Sequence, residues 1–172
     1  TATVACQKKA SQVVVYTSVD QVYSEPILDR FEQETGIKVL AVYDVEAAKT
    51  TGLVNRLIAE KEAPQADVFW NGEFAQTLLL KERGVLAQYQ PEGVDAIPEA
   101  YRDPEGYWTG FAGRARIILV NTDVLDPDDY PSSIMDLTDS RWPAERLGIA
   151  YPIFGTTATQ AAALYAFWGP EE

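Results

Sequence analysis

Three short clusters of oxygen-bearing side chains interrupt otherwise apolar runs: Thr17-Ser18-Val19-Asp20, Asn71-Gly72-Glu73 and Thr156-Thr157. Hydroxyls, an amide and carboxylates gathered after strands are suited to holding a polar ligand through oxygen. Thr156 and Thr157 open a helix, where hydroxyls and free N–H groups form an anion site. Asp20 and Glu73 are paired acids, which also fit general acid–base hydrolysis. No activating partner, cofactor fingerprint or nucleophile motif accompanies them, which weighs against an enzyme. Each cluster has a plainer account as well: a polar loop between strand and helix, or simple N-capping by threonine.

The elements that must position these groups follow from periodicity. Val13-Val14-Val15-Tyr16 is a β-branched and aromatic run ending at Thr17, a buried strand in pattern. Ser24-Glu25-Pro26 reads as a helix start, Ile27, Leu28 and Phe31 recur at helical spacing, and Gly36 reads as the stop. Ile37 to Tyr43 is a second strand, apolar on both faces, and Leu53, Val54, Leu57 and Ile58 mark a second helix. Ala66 to Trp70 is a third strand, and Phe74, Leu78 and Leu79 carry a third helix to Gly84. This β-α-β-α-β-α order predicts an α/β fold with a doubly wound parallel sheet. Two strand ends, Thr17–Asp20 and Asn71–Glu73, then share the carboxyl edge, where ligands sit in such sheets.

Composition narrows the function. The chain has 172 residues, is 47% hydrophobic and 23% charged, and carries a formal net charge of −12. That field repels phosphate backbones and excludes nucleic acid as a natural partner. There is no histidine, so Ser-His-Asp catalysis, imidazole bases and the usual zinc sites are out of reach. The single cysteine, Cys6, forbids an intrachain disulfide. A small apolar residue ahead of Cys6 and a polar linker after it resemble the end of a bacterial lipoprotein signal, with Cys6 lipidated. The alternative is a chance cysteine in a disordered terminus.

Residues 88–106, with three prolines and little periodicity, predict loop. Tyr107 to Phe111 is an aromatic wall or a packed corner. Gly113 to Asn121 predicts a buried strand entered by Arg114 and Arg116, followed by a short helix capped by Ser132 or Ser133 and a strand from Leu147. An Ala- and Leu-rich helix then runs to Trp168. Two strands cannot bury both faces of a sheet. The expectation is therefore a second unit that is incomplete by itself, finished by a further C-terminal half or by a second copy of the chain.

Val14 to Gln21, Phe31 to Val39 (FEQETGIKV), Gly52 to Leu57, Ala66 to Asn71 (ADVFWN), Gly110 to Val120 and Gly155 to Thr159 together resemble the solute-binding proteins of ABC transporters, in the group of ferric-ion-binding proteins. The resemblance implies a two-lobed fold of the second periplasmic-binding type, with residues 1–12 a linker, 13–112 the first lobe and 113–172 the start of the second. It implies an extracytoplasmic receptor that delivers its ligand to a membrane permease. It implies Fe(3+) held with a carbonate or phosphate anion, a hard ion suited to oxygen donors. The relatives' ligating tyrosine pair has no counterpart in this sequence. Asp20 stands nearest to a position where many relatives carry histidine, and Glu73 lies one position from their carboxylate.

On that reading Asp20 and Glu73 are metal ligands or partners of an amine. Thr17, Ser18 and Asn71 contact the ligand, and Thr156 and Thr157 hold the anion. Arg114 and Arg116 neutralise it, or else brace the lobe crossover as ion pairs. The runner-up is a receptor for an organophosphate or phosphonate without metal.

Overall fold

A computed structural model describes residues 11–44, 51–153 and 155–169. Cys6 and residues 1–10 of the linker expected over 1–12 lie outside the described residues. The described elements begin with β1 (Gln12–Thr17), α1 (Gln21–Thr35), β2 (Lys38–Tyr43) and α2 (Thr51–Ala59). They continue with β3 (Val68–Trp70), α3 (Phe74–Glu82) and, after a long segment of turns, α4 (Gly155–Trp168). By compactness the chain divides into Thr1–Gly110 with Pro152–Glu172, and Phe111–Tyr151. The boundary falls two residues before the expected one, and α4 groups with the first unit.

In the first unit the three strands are parallel in the order β2-β1-β3. β1 is central, pairing Gln12 to Thr17 with Lys38 to Tyr43 on one side and Val15 to Thr17 with Val68 to Trp70 on the other. That placement explains the burial of Val15, Tyr16 and Thr17, which have neighbours on both edges. Tyr16 packs with Leu53, Val54 and Leu57 of α2 and Leu80 of α3. Its phenol donates to Glu60 Oε2 at 3.0 Å, and the Arg56 guanidinium lies 4.6 Å from the ring centre. The core is thus apolar with one satisfied hydroxyl at its rim.

α1 starts three residues before Ser24. Asp20 has extended backbone geometry, and its carbonyl accepts from the N–H groups of Tyr23 and Ser24 at 2.9 and 3.0 Å. Ser24, expected as the cap, is instead buried inside the helix, where its hydroxyl donates back to the Asp20 carbonyl at 3.1 Å. Pro26 is therefore inside the helix. Gly36 ends α1 as expected: its φ of 69° is left-handed, and its N–H closes on Glu32 O at 2.9 Å.

The aromatic stretch after the loop packs as a corner. Trp108 meets Phe74 edge-on at 4.8 Å, and Lys81 Nζ sits 5.1 Å from the Tyr107 ring centre. Lys81 also pairs with Asp103 at 2.7 Å and Glu105 at 2.6 Å, which ties α3 to the loop.

The second unit departs from expectation. Gly113 to Asn121 and Leu147 to Pro152 form no strand. Ile117 and Leu119 are 78% and 88% exposed, so the apolar pattern is present without a sheet to receive it. Strand pattern becomes strand only where a neighbour supplies the ladder, and no described strand lies beside these segments. The short helix does form, as a 3-10 turn over Ile134–Thr138. Ser133 caps it in a capping box with Asp136, and the Ser132 hydroxyl also donates to Asp136 at 2.8 Å.

Candidate functional site

The carboxyl edge of the sheet gathers the predicted groups of the first unit, and the parallel register is the reason. Because β1 and β3 run the same way, Thr17 sits opposite Trp70 and the next residues of both strands emerge together. Ser18 N–H donates to Trp70 O at 3.1 Å, and Ser18 Oγ donates to Asn71 Oδ1 at 3.2 Å. Two of the three oxygen-rich clusters are thereby joined by direct hydrogen bonds.

Thr17 is fully buried, and its hydroxyl accepts the Val19 N–H at 3.1 Å, which turns the chain toward α1. Asn71 is similarly committed. Its Oδ1 accepts the Glu73 N–H at 2.7 Å besides the Ser18 hydroxyl, and its Nδ2 donates to Thr77 Oγ1 at 2.9 Å and to the Glu73 carbonyl. Thr17 and Asn71, expected at the ligand, are both tied into the edge itself.

Glu73 is 4% exposed although it is a carboxylate. It caps α3: Oε1 accepts from Ala75 N–H at 3.1 Å and Oε2 from Gln76 N–H at 2.9 Å. The positive end of the helix and these donors offset the cost of burying the charge. The Thr159 hydroxyl, from the second turn of α4, donates to Oε1 as well. Three donors leave part of a carboxylate's capacity for a further partner.

Asp20 occupies the turn into α1 and lines an open cavity of about 440 Å³ with Ser18, Gln21, Tyr43 and Asp44. Burial, then the carboxylates of Glu25 and Asp29, push the Tyr43 phenol above its usual range, and a hydrogen bond with Ser24 opposes them. Tyr43 and Asp44 were missed from sequence. Their signal was β2 itself: a third parallel strand must end at the same edge. Thr159 was also missed, although it follows Thr156 at i+3 on one helix face.

Thr156 and Thr157 lie half-buried in the first turn of α4. Arg114 and Arg116 are exposed residues of the second unit. Among the described residues no group of three or more histidine, cysteine, aspartate or glutamate side chains is placed to hold a metal. No described helix is long and apolar enough to cross a membrane. What the first unit offers is a polar edge with three carboxylates, Asp20 and Asp44 on an open cavity and Glu73 buried as a helix cap.

That edge can be set beside known proteins. The profile of the family described as bacterial extracellular solute-binding protein matches residues 63–167, more than half of the chain. The chain belongs to this family.

This solute-binding protein is 30% identical over 132 residues to the iron uptake protein A1 of Synechocystis sp., covering 76% of the chain and 35% of that relative. It is 32% identical over 113 residues to a probable ABC transporter periplasmic-binding protein of Sinorhizobium fredii, covering 66% of the chain and 30% of that relative. Among solved structures it is similar to iron-bound HitA from Pseudomonas aeruginosa, with a TM-score of 0.79 and 25% identity over 94% of the chain and 51% of that structure. The fold is the α/β fold of the periplasmic binding proteins. The chain spans about a third of these curated relatives (35% and 30%) and about half (51%) of the solved structure.

Proposed function

We propose that this solute-binding protein is the receptor of an ABC importer, acts on the extracytoplasmic side of a bacterial membrane, and takes ferric iron together with an anion. The observation that carries the proposal is the buried Glu73 carboxylate at the edge that also presents Asp20, with Ser18 and Asn71 joining the two strand ends. Oxygen donors of this kind suit a hard trivalent ion. The iron named in the similar proteins supports the same cargo. In this reading Asp20 and Glu73 contribute ligands, while Thr156, Thr157 and the N–H groups that open α4 hold carbonate or phosphate. Further donors come from the ligand's own chelator, from a C-terminal half or from a second copy completing the second lobe. The chain is read as a binding protein and not an enzyme. Cys6 would be the lipid anchor.

A second reading, an organophosphate or phosphonate receptor without metal, is favoured by the Thr-rich start of α4. Titration calorimetry with ferric citrate, inorganic phosphate and a phosphonate distinguishes the two. Iron binding enhanced by phosphate is expected. Phosphonate binding with no response to iron overturns the iron reading.

A further inference from the structure

We propose that the Thr159 hydroxyl competes with an incoming cation for Glu73 Oε1 and so sets how tightly the site holds it. The inference rests on the reading of Glu73 as a cation ligand. The geometry gives Oε1 two donors, Ala75 N–H and Thr159 Oγ1, whereas Oε2 is held by Gln76 N–H. The amide donors belong to the cap and cannot leave without unwinding the first turn of α3. The threonine hydroxyl can leave at small cost, because a second acceptor is already at hand. Thr159 Oγ1 lies 3.4 Å from the Gly155 carbonyl, one turn back in α4.

Rotation of one hydroxyl hydrogen from Glu73 to Gly155 therefore frees a carboxylate lone pair and leaves no buried donor unsatisfied. Without a cation, the hydroxyl satisfies the buried charge of Glu73, which is 4% exposed. With a cation present, the metal takes over that role. Thr159 thus exchanges partners as the ligand arrives, and a side chain without a hydroxyl would leave Oε1 open to the cation from the start.

A structural role and a competing role predict opposite signs, which makes the test decisive. Ferric nitrilotriacetate is titrated into wild type, Thr159→Val, Thr159→Ala and Thr159→Ser, with Glu73→Gln alone and combined with Thr159→Val, and thermal unfolding is followed in parallel. Competition predicts that both hydroxyl-free variants bind iron about tenfold more tightly although neither melts higher, since a charged hydrogen bond no longer has to be given up. Thr159→Ser restores wild-type affinity, and Thr159→Val has no effect once Glu73 is glutamine. Unchanged or weaker iron binding by Val and Ala variants that remain folded overturns the role of Thr159, while loss of binding in Glu73→Gln leaves the cation reading standing. Absence of iron binding in every protein overturns the cation reading and this inference with it.

Discussion

Ser18 and Asn71 close the edge of the sheet: the serine hydroxyl donates to Asn71 Oδ1 at 3.2 Å across the ends of two adjacent parallel strands. The bond matters because Asn71 passes the constraint on, through Thr77 and the Glu73 backbone, to the carboxylate that caps α3. The candidate site is therefore held by polar bonds at its base, not by apolar packing alone.

Replacing Asn71 removes that junction. Asn71→Ala strands the Glu73 N–H and the Ser18 hydroxyl and removes the amide donor to Thr77 Oγ1, and should cost about 2–3 kcal/mol of stability. Asn71→Asp keeps the acceptor oxygen and loses the amide donor, so it should lie between the two. Urea unfolding of the three proteins measures the order; an alanine variant as stable as wild type would show that the junction is dispensable.

The core makes a sharper contrast with the second unit. Leu80 is fully buried against Tyr16 and α2, so Leu80→Ala should destabilise by about 2–5 kcal/mol. Leu119 is 88% exposed, and Leu119→Ala should change stability by less than about 0.5 kcal/mol. Chemical denaturation of both variants tests whether stability resides in the first unit.

Gly36 needs its left-handed φ of 69°, yet a Cβ there would meet no atom within 4 Å. Gly36→Ala should therefore cost about 1 kcal/mol through backbone strain alone, and Gly36→Asn less, because asparagine tolerates that region. Melting temperatures of the pair separate conformational strain from steric clash.

The Lys81–Asp103–Glu105 cluster predicts pH dependence on two limbs. Burial pushes the Asp103 carboxyl up, but the Lys81 ammonium and the Tyr107 N–H outweigh it and hold the group below its usual range. A lowered acid contributes stability above its unfolded value near about 3.9, and that contribution is lost as pH falls through the folded value. Hydrogen bonds to Asp103 and then Glu105 raise Lys81. Its contribution is complete below about 10.4 and is lost as pH rises through the higher folded value. Lys81→Met should flatten both limbs of a stability–pH curve; curves that stay parallel to wild type would assign the limbs to other groups.

Much of the first unit was legible because its signals are local or strictly periodic. Val13 to Val15, Gly36 and the Leu53-Val54-Leu57 face each specify their element whatever lies around them. The start of α1 was not, since Ser24 and Pro26 imitate a cap, and only the geometry of Asp20 places the first turn earlier. Gly113 to Asn121 shows the opposite limit. Its residues favour a strand, but pairing is a property of two segments and sequence displays one at a time. At the site, the shared edge of Thr17–Asp20 and Asn71–Glu73 followed from parallel topology. The bond of Asn71 to Ser18, 53 residues away, and the reach of Thr159 to Glu73, 86 residues away, are side-chain contacts that no spacing rule contains.

The proposed function has the Glu73 and Asp20 carboxylates as ligands of ferric iron. Equilibrium titration of ferric iron in the presence of phosphate, into wild type, Glu73→Gln and Asp20→Asn, tests it most directly. Saturable binding by wild type, weakened about tenfold or more in each variant with folding intact, is the predicted result. Equal affinity in all three proteins would contradict it.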